Sequence, residues 1–355
     1  MLCFVLLSVG ATFAADNSSD VIAIDDEISI DEPLAIEQDV QKVSANESAT
    51  DSSAAVITPS TVDQYISGSG KLNENVTADE LVFEGTFDNL NLTVERPITI
   101  TGGLFNDPNF EIYSSNVILK NFTILQDKGV SSIFVSGISE TNHTENVTIN
   151  DVQIGFTDDQ SGASAVPIEV FYSDNFILSD SNISYTGKTN GYYVNNIIRI
   201  ESSKNALIFN NEFIANLISV PVGWAEEPAG SGNWVSSPNS EGIVVKNSEG
   251  AIFNGNNLTI YCANFSGSYD TIYAVDFSGS DSAVIAGNKI IAYGNSYIYG
   301  IILSGDDFII RGNDIKSTGV YYADGIDIEG PATGVVEEIT SMLKLKPVRM
   351  VFTLV

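Results

Sequence analysis

Two pairs of acidic side chains are the first candidates for chemistry in this sequence. Asp306 and Asp307 are adjacent in Ser-Gly-Asp-Asp, whereas Asp327 and Glu329 alternate in Asp-Ile-Glu. In a β-strand, that alternation places both carboxylates on one face. Two carboxylates held close together are what hydrolysis of a glycosidic bond requires. Because no other catalytic group accompanies them, we interpret Asp306 and Asp307 as solvated turn residues.

Other groups that catalyse reactions or bind metals are scarce. The single histidine, His143, lies in a Thr-Asn-His-Thr turn, far in sequence from both acidic pairs. No run of acidic residues has the spacing of a calcium-binding loop. The sequence therefore predicts no catalytic residue, no metal site and no cofactor.

The two tryptophans are the strongest candidates for ligand binding. Trp224 and Trp234 lie in one irregular segment that runs from Ser219 to Pro238. A tryptophan on a polar surface can stack on a sugar ring or anchor a partner protein. The alternative is that both side chains cover an apolar outer face of the sheet beneath them. Mutation to alanine should reduce binding in the first case and stability in the second.

A repeat that occupies most of the chain must position these residues. In each copy a polar residue, here called the anchor, precedes three mainly apolar residues and a polar cluster. The seven anchors are Asn116, Asn146, Asn175, Asn205, Gly250, Ser282 and Asp307. They lie 25 to 32 residues apart, except for the 45 residues that separate Asn205 from Gly250 and contain both tryptophans. A repeat of this length without helical periodicity predicts a β-solenoid, with one coil per repeat and parallel sheets.

Positions inside the repeat have predicted roles. The first and third residues of the apolar trio, such as Ala206 and Ile208, should point into the lumen by strand alternation. The middle residue should point outward although it is apolar in six of seven copies, so either loops cover that sheet or the strand kinks there. Four asparagines lie six residues after their anchors: Asn211, Asn256, Asn288 and Asn313. They predict stacked amides that bond to the neighbouring coil, or alternatively turn residues that tolerate positive φ.

The balance of charge excludes several classes of partner. The chain has 46 acidic and 15 basic residues, which give a formal charge of −31. Nucleic-acid binding requires a basic surface, and anionic lipids attract basic segments. We therefore expect neither a nucleic-acid partner nor direct membrane insertion after removal of a leader.

The N-terminal part of the chain differs from the repeat. Residues 1–15 are apolar and end in small residues, which predicts a signal peptide and an extracellular or cell-surface protein. No basic residue precedes this run, so we expect the true start to lie upstream of Met1. Residues 16–58 are acidic and poor in apolar side chains, which predicts a disordered spacer. The sequence Ser60-Thr-Val-Asp63 resembles a capping box and predicts a short helix at the start of the repeat region, residues 59–330.

The C-terminal residues 331–355 form an atypical tail. Asn and Gly disappear after Glu338, and basic residues become frequent. One interpretation is an amphipathic helix that caps the last coil. The other is a frameshift or truncation near Glu337 that interrupts a longer β-helix.

Several Asn-x-Ser/Thr sequences are candidates for glycosylation in an exported protein. The candidate acceptors are Asn75, Asn91, Asn142, Asn146, Asn182, Asn257 and Asn264. We expect a minority of them to be modified.

The repeat, the apolar leader and the acidic, Asn-rich composition together resemble right-handed parallel β-helix proteins. More narrowly, they resemble the large adhesin-like surface proteins of methanogenic archaea. The resemblance covers residues 59–330 and implies an all-β, single-domain right-handed parallel β-helix. It also implies attachment to a glycan or a protein on the surface of another cell or of a host.

The same fold hosts pectate lyases and polygalacturonases, so a polysaccharide lyase or glycoside hydrolase is the alternative function. Ser-Gly-Asp-Asp is similar to the Asp-Asp motif of polygalacturonases, but their Asn-Thr-Asp, Gly-His-Gly and Arg-Ile-Lys motifs are absent. None of the arginines lies in a recognisable lyase motif. A passive structural role in the cell envelope is the third alternative. We favour an attachment protein without catalytic residues.

Overall fold

The computed structural model shows the right-handed parallel β-helix that the repeat predicts. It describes residues 53–158, 165–189, 196–219, 225–226, 234–235, 240–264, 271–294, 297–319, 322–330 and 332–345. The predicted signal peptide and most of the predicted spacer lie outside these residues. Within the described ranges, no helix has the length and apolar character needed to cross a bilayer.

Each full coil contributes one strand to each of three parallel sheets, which the chain enters in the order sheet 1, sheet 2, sheet 3. Sheet 1 contains β1 (Ala54–Ile57), β2 (Glu80–Phe83), β5 (Ile98–Thr101), β8 (Val117–Lys120), β12 (Thr148–Asn150), β16 (Ile177–Ser179), β19 (Leu207–Phe209), β24 (Ile252–Asn254), β27 (Val284–Ala286), β30 (Phe308–Arg311) and β33 (Gly334–Glu337). Sheet 2 contains β3 (Thr86–Asp88), β6 (Leu104–Asn106), β9 (Thr123–Gln126), β13 (Gln153–Asp158), β17 (Asn182–Thr189), β20 (Glu212–Ser219), β25 (Asn257–Asn264), β28 (Lys289–Tyr293), β31 (Asp314–Gly319) and β34 (Thr340–Leu345). Sheet 3 contains β4 (Asn91–Val94), β7 (Asn109–Ile112), β10 (Ile133–Ser136), β14 (Ile168–Phe171), β18 (Ile198–Glu201), β23 (Ser240–Lys246), β26 (Thr271–Ser278), β29 (Tyr297–Ser304) and β32 (Tyr322–Ile328).

Minor elements complete the described part of the chain. One helical turn, α1 (Val62–Tyr65), confirms the predicted short helix. The predicted capping box is wrong: the N-cap is Thr61, which makes no side-chain capping bond, and its Oγ1 accepts from the backbone N–H of Thr58 instead. Two short pairs are β11 (Thr144–Glu145) with β15 (Ser173–Asp174), parallel, and β21 (Ala225–Glu226) with β22 (Trp234–Val235), antiparallel.

The lumen is filled as the trio pattern predicts. Ala206 and Ile208 are each only 1% exposed, and aromatic side chains such as Phe213 and Phe253 are fully buried. Each fully buried side chain of this size contributes on the order of 1.5–3 kcal/mol. The β-helix is therefore held together by one continuous apolar core.

The middle residue of each trio does face outward, on sheet 1. Ile177, Leu207 and Ile252 are register partners in consecutive coils, and each is half-buried. Strands in a sheet lie about 4.8 Å apart, so equivalent side chains in neighbouring coils cover part of one another. This stacking accounts for their half-burial along a strand that alternates without a kink.

The predicted asparagine ladder is confirmed. Asn211, Asn256, Asn288 and Asn313 are at most 2% exposed. Each of their Oδ1 atoms accepts the backbone N–H of the ladder residue in the preceding coil at 2.9–3.0 Å, from Ser181 in the case of Asn211. Each Nδ2 donates to a sheet 1 carbonyl of the preceding coil at 2.8–3.0 Å. The amides thus satisfy backbone groups that the turn would otherwise bury unpaired.

A second ladder, of serines, has no counterpart in the predictions. Ser173, Ser203, Ser248 and Ser280 lie two residues before their anchors and are fully buried. The Oγ atoms of the last three accept the backbone N–H of the preceding serine at 3.0–3.2 Å. The serine of the repeat is therefore a hydrogen-bond acceptor between coils.

The anchors occupy left-handed backbone positions. All seven have φ between 54° and 72°. Asparagine, aspartate and glycine tolerate this region with little strain, which explains why these types dominate at the anchor. Positive φ, the alternative considered for the ladder asparagines, is therefore a property of the anchors and not of the ladder residues.

The β-helix extends beyond both ends of the predicted repeat region, residues 59–330. Strand β1 pairs in parallel with β2 although it lies within the predicted spacer 16–58, so the β-helix begins by Ala54. Strands β33 and β34 pair with β30 and β31, so the coil continues to Leu345 within the predicted tail. The predicted amphipathic cap is wrong for residues 340–345, because they form a strand. The frameshift hypothesis stays a prediction.

Candidate functional site

Variation in connection length is concentrated at one corner of the β-helix. Every connection from sheet 1 to sheet 2 has two residues, for example Asn210 and Asn211 between β19 and β20. Connections from sheet 2 to sheet 3 range from two residues (320–321) to twenty (220–239). Variable segments on a rigid scaffold often carry function, so we expect a functional site on the surfaces that border this corner.

Four tyrosines lie on the outer face of sheet 3, and we call them the tyrosine column: Tyr273, Tyr297, Tyr299 and Tyr322. The rings of Tyr273 and Tyr299 are stacked with centroids 5.1 Å apart. Tyr299 and Tyr322 follow at 5.6 Å, and Tyr322 is 41% exposed. These aromatic rings therefore lie partly exposed along the stacking direction of the strands, on the last coils of sheet 3.

Carboxylates accompany the tyrosine column. The Tyr322 hydroxyl donates to Asp324 Oδ2 at 2.8 Å, and the backbone N–H of Gly325 donates to Asp324 Oδ1 at 3.0 Å. The hydrogen bond to Asp324, together with burial, raises the pKa of Tyr322 to about 12. Burial, followed by the nearby charge of Asp324, raises the pKa of Asp327. The two carboxyl groups thus interact beside aromatic rings.

A group of paired charges lies next along the same face. Lys246 Nζ is 2.9 Å from Asp276 Oδ2 and 3.0 Å from Glu241 Oε1. Asp276 is 4% exposed, and Oδ1 accepts the Ser278 backbone N–H at 2.9 Å. Although burial opposes it, the bonds and charges of the two carboxylates raise the pKa of Lys246. Lys246 therefore stays protonated and neutralises part of the acidic charge here.

Aromatic side chains recur toward the N-terminal coils of sheet 3. Tyr113, Phe134 and Phe171 follow one another with centroid separations of 6.1 and 6.0 Å. The Arg199 guanidinium lies 5.1 Å from the Phe171 ring centroid, and its Nη1 is 3.5 Å from Glu169 Oε1. Nine strands about 4.8 Å apart give the outer face of sheet 3 a length of about 38 Å. It is long enough to contact several units of an extended polymer.

The structure separates the residues predicted from the sequence. Trp224 lies outside the described residues, and only the backbone of Trp234 is described, in β22. Their segment is the longest connection that leads into sheet 3. Asp306 and Asp307 are exposed between β29 and β30, where Asp307 has φ of 57°, which confirms them as turn residues. Asp327 is on the outer face of sheet 3, but its charged neighbour is Asp324.

The tyrosine column and Asp324 are not among the site residues predicted from the sequence. A signal for them is present in the sequence, because Tyr273, Tyr299 and Asp324 each lie two residues before a pair of alternating apolar residues in sheet 3. These pairs are Val275/Phe277, Ile301/Leu303 and Ile326/Ile328. An interruption of the inward–outward alternation obscures this signal, because β26 and β29 each contain four consecutive buried residues.

Other candidates lie away from this face. His143 Nδ1 is 2.9 Å from Asp174 Oδ1 in the connection from sheet 3 to sheet 1. Within the described ranges, no three His, Cys, Asp or Glu side chains are grouped so that they could hold a metal ion. The acceptor candidates Asn75, Asn91, Asn142, Asn146, Asn182 and Asn257 are exposed, whereas only the backbone of Asn264 is described. Glycosylation stays a prediction.

No family model matches the sequence, and no curated protein matches it. Solved structures with a similar fold include the Streptococcus pneumoniae surface protein and adhesin PfbA, 12% identical over 74% of this chain and 86% of that chain, with a TM-score of 0.33. The A-module of the Azotobacter vinelandii mannuronan C-5 epimerase AlgE4 is 9% identical over 74% of this chain and 90% of that chain, with a TM-score of 0.25. Tailspike protein 3 of bacteriophage CBA120 is 11% identical over 82% of this chain and 61% of that chain, with a TM-score of 0.28. The likeness concerns the fold; the narrower resemblance to surface proteins of methanogenic archaea stays a prediction.

Proposed function

We propose that this chain is a secreted or cell-surface attachment protein that binds a glycan along the outer face of sheet 3. The observation that carries the proposal is the tyrosine column, with its flanking carboxylates, on a rigid parallel sheet. Aromatic rings provide apolar contact for the faces of sugar rings. Carboxylate oxygens accept hydrogen bonds from sugar hydroxyls, and charge-assisted bonds of this kind are stronger than neutral ones.

The arrangement favours a polymer over a small ligand. Aromatic groups lie at both ends of a face about 38 Å long, and neighbouring ring centroids within the tyrosine column are 5.1 to 6.4 Å apart. Such a surface suits repeated, individually weak contacts, whose combination gives useful avidity. The segment with Trp224 and Trp234 leads into β23 on this face, and we propose that both tryptophans contribute to the same ligand.

A glycan array probed with the full chain tests the proposal. The double variant Tyr273→Ala/Tyr299→Ala should lose at least tenfold in affinity, because it removes both stacked rings. The matched control is Tyr261→Ala/Tyr293→Ala, a tyrosine pair 6.4 Å apart on sheet 2, which should bind normally. Equal binding by both double variants, or no glycan bound by the wild-type chain, would count against the proposal.

An enzyme that acts on polysaccharides is the second candidate. The observation that favours it is that Asp327 and Asp324 lie near each other on the outer face of sheet 3, where burial and the charge of Asp324 raise the pKa of Asp327. A raised pKa on one of two neighbouring carboxyl groups is a property that general acids share. Incubation with a panel of polysaccharides tests this: Asp327→Asn should abolish release of reducing ends or unsaturated products while it leaves binding measurable. A wild-type chain that binds but never cleaves favours attachment alone.

A further inference from the structure

The outer face of sheet 3 is predominantly acidic, and its cations are already paired. The outward carboxylates of this face are Glu111, Glu169, Glu201, Glu241, Asp276, Asp324 and Asp327. Arg199 pairs with Glu169 and Glu201, and Lys246 pairs with Glu241 and Asp276. The two cations thus offset about half of the carboxylate charge in the central part of the face.

The C-terminal end of the face differs. Among the residues that the structure describes, neither Asp324 nor Asp327 forms an ion pair with a lysine or arginine. Asp324 is held in place by the Tyr322 hydroxyl and the Gly325 N–H, which fixes its carboxylate before any ligand arrives. Asp327 is half-buried beside it. Two carboxylates therefore share one region without a cation to separate their charges.

The neighbouring rings suit the same type of ligand group as the carboxylates. Tyr299 and Tyr322 are next to these strands, with centroids 5.6 Å apart. Aromatic rings attract ammonium groups through their quadrupole, and carboxylates form charge-assisted hydrogen bonds with them. A phosphate, sulfate or uronate group would meet repulsion at this position.

We propose that Asp324, Asp327, Tyr299 and Tyr322 form a subsite for the protonated amino group of an amino-sugar chain. The inference rests on the proposed glycan-binding function and specifies its substrate class: a polysaccharide with free amino groups, as opposed to an acidic one. An ammonium group at the subsite offsets the repulsion between the two carboxylates. Burial and the charge of Asp324 raise the pKa of Asp327, and an ammonium partner stabilises the ionised form that they disfavour.

Chitosan and chitin oligosaccharides of equal length provide the test, because they differ in N-acetylation and therefore in charge. Isothermal titration calorimetry with the full chain should show at least tenfold tighter binding of the chitosan oligosaccharide, weakened by added salt. Asp327→Asn should remove most of this preference. The matched control Asp314→Asn makes the same charge change at an exposed position on sheet 2 and should leave the preference intact.

The outcomes separate this inference from the function on which it rests. Equal affinity for the two oligosaccharides, or binding only of glycans without amino groups, overturns the subsite but leaves glycan binding standing. A preference that Asp327→Asn and Asp314→Asn reduce equally reflects general attraction to an acidic protein and also overturns it. Failure to bind any glycan on the array removes both proposals.

Discussion

Replacing Asn256 by alanine tests whether the asparagine ladder holds the coils together. Asn256 Nδ2 donates to the Ile208 carbonyl at 2.9 Å and to Asn288 Oδ1 at 3.1 Å. Its Oδ1 accepts the backbone N–H and the side-chain Nδ2 of Asn211, both at 3.0 Å. Alanine removes all four bonds in a position that is 1% exposed.

The cost follows from the groups left behind. The Asn211 N–H and the Ile208 carbonyl each lose a buried partner, at about 1–3 kcal/mol per unsatisfied group. Water that enters the vacated space can recover part of this. We therefore expect Asn256→Ala to destabilise the local coils by about 2–4 kcal/mol.

Hydrogen exchange is the appropriate assay, because coils of a solenoid contact mainly their neighbours and open locally. The Asn211 amide should exchange about 30-fold to several hundred-fold faster, which corresponds to the expected loss. The matched control is Asn254→Ala, in the same coil but facing outward from sheet 1. If both variants exchange alike and melt at the same temperature, the ladder does not stabilise the fold and the reasoning is wrong.

Three further predictions concern the lumen, the anchors and the tyrosine column. Ile208→Asp should lower the free energy of unfolding by more than about 4 kcal/mol, because it buries a charge in the lumen, and should expose the local coils to proteases. Leu207→Asp on the outer face should be tolerated. Unchanged protease resistance of Ile208→Asp would contradict this prediction. Asn205→Val should lower stability by about 1–2 kcal/mol at φ of 55°, while Asn205→Gly should stay close to wild type, and equal melting temperatures would refute the strain argument. Tyr322 should ionise at pH of about 12 in the difference spectrum against Tyr322→Phe, and Asp324→Asn should shift this toward the ordinary value of about 10. Because the pKa of Tyr322 is raised in the folded state, the contribution of Tyr322 to stability is complete below about pH 10 and is lost as pH rises through about 12. An unshifted titration in Asp324→Asn would assign the raised pKa to burial alone.

Much of the fold could be predicted because the spacing of the repeat is visible directly in the sequence. Lumen positions such as Ile208 and ladder positions such as Asn211 recur at the same place in each repeat. Because the coils stack, equivalent residues have the same structural role in each coil. The anchors show the limit of this approach. Their pattern was visible, but left-handed φ became evident only from the backbone.

The candidate site was harder to predict because it is not repeated throughout the chain. Tyr273 and Tyr299 share a register in two coils only, and Asp324 replaces tyrosine in the next. A sequence search that looks for contiguous motifs or for rare residues finds Trp224 and Trp234 instead. Contacts between coils, about 25 residues apart in the chain, create the site, and only the strand register reveals them.

The constant two-residue corner between sheets 1 and 2 restricts how this protein can change in length. At nearly every such corner the first residue has positive φ, and in the coils from Phe122 to Asn313 the second is buried and directed inward. One residue added or removed there would invert the alternation of the next strand and expose its core face. Growth or shortening at that edge is therefore feasible only in whole turns, by duplication or loss of complete repeats. The opposite edge, where sheet 2 passes to sheet 3, accepts two residues or twenty, so new recognition segments can be acquired there without disturbing the stack that supports them.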